Sequence, residues 1–327
     1  MSFQEFQEFT PSGTTDFTLT AGEIIDDALD TIQVGSDGEG VEPEEYKRAL
    51  NALNLVMREC QAQGLHIATY RTGTLFPKAG DVEYVLEDTE NVDSTNTFFE
   101  ALTTADVTSP ATIIPVDDAS NMEVGDRFLV LKNDSTFFRS FIKSITPTTS
   151  PEADIELEDA TDGDIDAGCQ IYNWREELEP VARVLDIYRR DFFQTDVPIQ
   201  QLSRDEYERL PFKTTTSGVP SQAYYWRSIR RGTMFIWSPP VNDTYLIRFW
   251  YESRLDDMKA TTDAIDLDRA YLPYLVYKLA VRMCDRLGIS SEIKASVKQE
   301  MLEIEANVFS YDNEVGPLRV SLNREGQ

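Results

Sequence analysis

Cysteine and histidine are scarce in this chain of 327 residues: three cysteines, Cys60, Cys169 and Cys284, and a single histidine, His66. Three cysteines so far apart argue against a disulfide framework and suit synthesis in a reducing compartment. With no close Cys/His pair, a structural zinc site is not expected. Long apolar runs are missing as well, so no helix is expected to cross a membrane. The N-terminus, MSFQEFQEFT, has neither a basic flank nor an apolar stretch, and no secretory leader is expected. Positive charge is in short supply. Lys and Arg number 30 against 58 Asp and Glu, a formal net charge of −28, so a basic DNA-binding footprint is absent. What is present is enough to fold: 41% hydrophobic and 11% aromatic residues exclude wholesale disorder, and the length allows about two domains.

The charge is uneven. Residues 1–46 hold 12 acids and no Lys or Arg, and residues 81–168 hold 21 acids against 4 bases. The second stretch supplies more than half of the net charge, which places a boundary near each of its ends. Such acidity serves solubility or a halophilic host; alternatively it forms a wall past which a polyanion slides, since like charges within a Debye length of about 10 Å repel.

Thr20-Ala21-Gly22-Glu23 is a capping box before Ile24, Ala28, Leu29 and Ile32, and predicts a helix over 21–34. Tyr46, Leu50, Leu53, Met57 and Cys60 form one stripe of a helix from Glu42 to Gln63, stopped by Gly64. Between Leu65 and Tyr84 the period falls towards two, and Pro77 and Gly80 predict a hairpin. The acidic segment reads as all-β. Beyond it, residues 181–188 alternate as a strand, with Val181, Arg183, Leu185 and Ile187 on one side. Ser203-Arg204-Asp205-Glu206 is a second capping box, and strands at 223–229, 234–237 and 245–251 predict an antiparallel meander. Helices over 269–287 and 291–309 finish the pattern. The expected fold class is α+β: a four-helix-bundle-like host domain with a small antiparallel β region, plus an inserted all-β sandwich or barrel domain. The expected organisation is an N-terminal arm at 1–19, a discontinuous host at 20–80 and 169–310, an insert at 81–168 and a C-terminal docking tail at 311–327.

Several segments stand in a familiar order. They are Leu202-Ser203-Arg204-Asp205-Glu206-Tyr207, Gly218-Val219-Pro220-Ser221 followed by Tyr224-Tyr225-Trp226, Trp237-Ser238-Pro239-Pro240, Phe249-Trp250-Tyr251, and Asp268-Arg269-Ala270-Tyr271-Leu272-Pro273. This order resembles the head-to-tail adaptor proteins of short-tailed double-stranded DNA phages, the tail accessory factor and tail-tubular-A-like proteins, over residues 20–78 and 175–310. The acidic segment departs from the family pattern and takes no role from it. The resemblance implies a non-enzymatic structural protein without cofactors. It would be made in the host cytoplasm and sit at the head–tail junction of the virion, as a homo-oligomeric ring under the portal that extends the DNA channel. The implied partners are the portal protein, a tail nozzle or tail fibre protein, neighbouring copies, and passing double-stranded DNA held without tight binding. A membrane is not among them. The resemblance also implies a C-terminal extension that orders on docking; the apolar–basic–apolar knot Leu318, Arg319, Val320, with Tyr311 at the root of the tail, is the expected portal contact.

Chemistry elsewhere is sparse. Asp162-Gly163-Asp164-Ile165-Asp166-Ala167-Gly168 begins like a calcium loop, but its glycine is displaced by one and position twelve would be Asn173; a solvated acidic turn is the favoured reading. Asp263, Asp266 and Asp268 read as helix-capping residues. His66 has no matched nucleophile motif, and no Gly-rich phosphate loop is present. Arg227, Arg230 and Arg231, beside Tyr224, Tyr225 and Trp226, make the one basic cluster: a subunit or partner contact, or else solvated arginines of a hairpin turn. Two alternatives to the adaptor stand. One is a virion-associated peptidoglycan hydrolase using paired carboxylates about 5–9 Å apart. The other is an acidic oligomeric binding module unrelated to phage.

Overall fold

The computed structural model describes residues 19–34, 43–63, 70–86, 94–176, 178–191, 195–213, 218–228, 231–255, 257–265 and 269–312. Helix α1 (Ala21–Thr31) starts where Thr20 Oγ1 accepts the Glu23 amide at 3.2 Å and Glu23 Oε2 accepts the Thr20 amide at 2.7 Å. Its next orphan donors, the amides of Ala21 and Gly22, reach the carbonyls of Asp263 and Thr261 at 2.9 and 2.7 Å. A loop from far along the chain thus completes the cap. Helix α2 (Pro43–Ala62) buries Ala49, Ala52, Leu53, Val56, Met57 and Cys60 on one face. Helix α4 (Leu272–Leu287) carries Pro273 in its first turn, where a missing N–H costs nothing, and stops at Gly288, held at φ +66°. It is the most enclosed of these helices, and α1 and α2 pack on it and on each other.

Helix α5 (Ser291–Asp312) packs mainly on α4, and Val297 and Val308 are the core residues it contributes. Part of its attachment is polar. The Tyr274 hydroxyl donates to Glu305 Oε1 at 2.8 Å and accepts from Lys278 Nζ at 3.1 Å. Lys278 also donates to Gln63 Oε1 at 3.0 Å and lies 3.5 Å from Cys60 Sγ. Burial raises the pKa of both the Tyr274 phenol and the Cys60 thiol, so both stay protonated at neutral pH. These helices, drawn from residues 1–69 and 255–327, form one unit; Tyr70–Arg254 forms another.

The second unit is built on strands β1 (Tyr70–Leu75), β2 (Glu83–Val85), β3 (Ser94–Thr95), β4 (Phe99–Leu102), β5 (Ile113–Val116), β6 (Arg127–Leu131), β7 (Phe137–Pro147), β8 (Ala153–Leu157) and β9 (Gln170–Trp174). They are followed by β10 (Val181–Arg190), β11 (Asp196–Gln201), the short helix α3 (Arg204–Glu208), β12 (Gln222–Arg227), β13 (Gly232–Trp237) and β14 (Leu246–Ser253). The larger sheet runs β2-β13-β12-β11-β10-β14-β1-β3, and the smaller β4-β9-β6-β7-β8-β5. In the larger, Leu75 of β1 shares a core with Tyr84 of β2, although the two strands stand near opposite ends, so the sheet curls round its own apolar face. The smaller closes at one end: Thr103 bridges Val116, and the Asp117 amide donates to the Leu102 carbonyl at 3.0 Å.

The expectation of a four-helix-bundle-like host with a small β region is overturned. Among the described residues there are fourteen strands and five helices, and the strands form two curled sheets that dominate the chain. Helix α5 lies mainly against α4 and does not complete a ring of four. The clean apolar stripes of the helices make them conspicuous in sequence, whereas the strands are short and pair across long separations. The predicted hairpin before Tyr84 is likewise absent: β1 pairs with β14 and β3, and β2 with β13. Nor do the later strands form a meander. β14 inserts between β10 and β1, and β11 runs parallel to β12. In β10, register shifts between Val181 and Arg183 and between Val184 and Asp186 break strict alternation. Val181, Val184 and Ile187 therefore face the core, and Arg183 is exposed.

The two sheets meet at an aromatic cluster. The rings of Phe76 and Trp174 stack at 4.6 Å, with Phe98, Tyr172 and Phe137 edge-on or tilted around them. Beside it, the buried carboxylate of Asp243 accepts the amides of Ala79 at 2.6 Å and Phe137 at 2.9 Å and pairs with Arg139 at 3.0 Å. Replacing Asp243 by Ala leaves the half-buried Arg139 charge and two amides without their acceptor. We expect a loss of roughly 3–5 kcal/mol in urea unfolding. Asp243→Asn, which keeps an acceptor, should lose less; equal losses would show that the carboxylate charge itself is what matters.

Candidate interaction surface

The basic cluster maps to the β12–β13 hairpin. Ala223, Met234 and Ile236 point into the core of the larger sheet, so Tyr224, Trp226, Phe235 and Trp237 occupy its other face. The Ser203–Glu206 capping box, with the Glu206 amide 3.4 Å from Ser203 Oγ and the Ser203 amide 2.8 Å from Glu206 Oε2, starts α3 over that face. Tyr207 of α3 then stacks on Tyr224 at a ring separation of 5.6 Å and lies tilted against Phe235 at 5.4 Å, while Tyr224 and Phe235 stack on each other at 5.9 Å. The Lys213 ammonium sits 4.9 Å from the Tyr207 ring centre and is paired with Glu208 at 2.6 Å.

These three rings form the middle of a strip with open ends. At one end Trp226 is 48% exposed. At the other Trp237 Nε1 donates to the Pro211 carbonyl at 3.3 Å, and the next residue, Phe212, is 73% exposed and held at φ +51°. A bulky residue in the left-handed region with its ring in solvent is costly on both counts. Arg227 and Arg231 are exposed at the Trp226 end, while Glu83, opposite Phe235, and Glu208 supply negative charge farther along.

Of the residues singled out in the sequence, Arg227 and Arg231 are thus brought together at the hairpin tip, and Arg230 lies outside the described residues. Tyr225 faces inward, its hydroxyl donating to the Val181 carbonyl at 2.9 Å. Tyr311 belongs to the last turn of α5, which runs on to Asp312; Leu318, Arg319 and Val320 fall outside the described residues, as do His66, Asp266 and Asp268. Tyr207 and Trp237 stand in the sequence only within the resembling segments, with nothing to join them to the basic cluster, and Phe212 is not singled out at all. The capping box placed α3, but only the fold shows which strands it covers.

The aspartates of the calcium-like run are occupied by protein donors. Asp162 pairs with Lys132 at 3.0 Å, Asp164 Oδ1 accepts the Ser109 amide at 2.9 Å, and Asp166 Oδ1 accepts from Asn133 Nδ2 at 2.8 Å. Asp263 accepts the amides of Ala260 and Lys259, which hold its carboxyl below the ordinary range. Among the described residues, no group of three or more His, Cys, Asp or Glu side chains is arranged to hold a metal ion. No helix there is long and apolar enough to cross a membrane. No protein-family model matches the chain, and no curated protein does.

Two outcomes follow from this geometry. A Cβ at Gly232 would lie 2.1 Å from the Tyr225 hydroxyl, so Gly232→Ala must displace that ring; we expect a loss of about 1–3 kcal/mol by denaturant unfolding. Millimolar calcium should leave the thermal midpoint unmoved, because the run's aspartates already serve the fold; an upward shift in a calorimeter would contradict that.

Proposed function

We propose that this chain is a structural head-to-tail adaptor of a phage virion, a ring-forming subunit that sits under the portal and extends the DNA channel towards the tail. The observation that carries this reading is the exposed aromatic strip with a cationic tip, on a chain whose net charge is −28. An apolar surface of this kind belongs to a protein that binds another protein. Three of the segments that resemble the adaptor family, at 202–207, 218–226 and 237–240, also adjoin in space. The Leu202 amide donates to the Ala223 carbonyl at 2.8 Å, Gly218 to Pro239 at 2.8 Å and Ser221 to Trp237 at 3.0 Å. They support the resemblance as one piece of structure instead of scattered turns. The excess of carboxylates suits a channel wall that DNA passes without adhering.

Negative-stain images of the purified full-length protein, alone and mixed with portal rings, test the proposal. The expected result is a ring stacked coaxially on the portal. Rings indifferent to portal would point to the acidic binding module, and clearing of a peptidoglycan suspension to the hydrolase; either result overturns the adaptor reading.

A further inference from the structure

A second concentration of chemistry lies in the smaller sheet, where the loop between β5 and β6 covers one end of its core. Met122 of that loop is buried in the core, and its neighbours Asn121 and Glu123 line a cleft of about 380 Å³. Thr97, Phe99, Asp126, Arg175 and Glu176 line it too. The volume falls within the roughly 300–1,000 Å³ of small-molecule sites, and the mouth of a curled sheet is one of their usual places. The register explains the lining. Phe99, Asn173 and Phe128 stand in one row across β4, β9 and β6. Phe128 is fully buried in the core, whereas Phe99, on the edge strand, is 39% exposed. Two residues beyond Asn173, Arg175 reaches Asp126 at 2.9 Å and Glu123 at 2.8 Å.

The cleft is rigid below and unsatisfied above. Asp126, only 2% exposed, grips Arg175 through both oxygens, at 2.9 and 3.4 Å. With Glu123 these contacts occupy three of the five guanidinium N–H donors and leave two. Among the described residues, the Glu176 carboxylate, the Asn121 side-chain amide and the Thr97 hydroxyl make no hydrogen bond. Asn173 adjoins this lining: its Nδ2 donates to the Asn121 carbonyl at 3.4 Å, and its buried Oδ1 has no donor among the described residues. An acceptor left in that state calls for a ligand or water nearby. Three carboxylates against one guanidinium disfavour an anion. Asp126 and Glu123 are already held by Arg175, so a cation would meet that guanidinium with Glu176 as its one free counter-charge. What remains is a set of donors and acceptors beside a single aromatic ring. That set matches the hydroxyls of a sugar and the apolar C–H face that packs on an aromatic ring.

We propose that this cleft binds an uncharged saccharide. Phe99 packs against a sugar ring, Glu176 accepts from its hydroxyls, Arg175 donates to them, and Asn121 does both. Most of the cleft belongs to residues 81–168, the acidic segment for which the adaptor resemblance supplies no role. The inference does not depend on the adaptor reading.

Titration calorimetry on the full-length protein tests it. The probes are linear trisaccharides of glucose, of galactose and of N-acetylglucosamine, with trigalacturonic acid as the anionic counterpart and tetramethylammonium as an organic cation. The expected result is that at least one neutral trisaccharide binds and that neither charged probe does. Phe99→Ala should weaken that binding about tenfold, and Glu176→Ala about fivefold. Phe99→Tyr, which keeps the ring, should retain it. Glu176 is exposed, so Glu176→Ala keeps the test decisive even if Phe99→Ala disturbs the edge strand. Binding of none of the neutral trisaccharides would overturn the proposal. Tighter binding of trigalacturonic acid or of tetramethylammonium would overturn it as well, and so would saccharide binding that Phe99→Ala and Glu176→Ala both leave unchanged.

Discussion

The Asp243 carboxylate is the point at which three distant parts of the β unit are tied together. One oxygen takes the Ala79 amide after β1, the other takes the Phe137 amide at the start of β7 and the Arg139 guanidinium two residues on. Arg139 also lies within 3.4 Å of the carbonyls of Phe76 and Pro77, so the cation closes a circuit back to β1. The aromatic cluster of Phe76, Trp174 and Tyr172 packs against this polar knot, and burial holds the Tyr172 phenol protonated. Ring stacking is tolerant of sliding; an ion pair with fixed amide donors is not. The carboxylate therefore ties the start of β7 to the segment after β1, and apolar packing fills around it.

How much of this was legible in the sequence depends on the range of the interaction. Thr20–Glu23 and Ser203–Glu206 are local chemistry, complete within four residues, and both capping boxes form as read. The pairing of strands was not legible. The β1–β14 pair joins Tyr70 to Glu252, and nothing in the local pattern of either segment names the other. In β10, two bulges shift an alternation that in sequence looks regular, and the side assigned to Arg183 changes with them. The basic cluster at Arg227 was visible as composition. Its aromatic context was visible only in part, since Tyr207 reaches the strip from α3 and Phe212 from the turn after that helix.

Charge and packing divide the labour between the two sheets. Residues 81–168, which contain much of the smaller sheet, hold 21 of the chain's 58 acids, and many of those described act within the fold. Glu156 takes Lys143 and Ser144, Asp126 takes Arg175, and Asp134 takes Thr136. Hydrogen bonds from those partners hold the carboxyls of Glu156 and Asp134 below their ordinary range. The acidity is thus partly internal wiring and partly outward field. The larger sheet, by contrast, keeps its exposed surface aromatic around α3.

The closure of the smaller sheet has a consequence for any chain crowded among copies of itself. Open strand edges invite further strands, and crowding identical chains side by side raises that hazard. Here the Thr103–Val116 bridge, with the Asp117 and Thr104 amides bonded across the seam, turns the ends of two edge strands towards each other. Exposed apolar residues such as Leu102 and Ile113 lie beside this seam, a composition that on an open edge favours fibrils. Pairing those amides with carbonyls across the seam makes the acidic sheet a poor template for further strands, even at high local concentration.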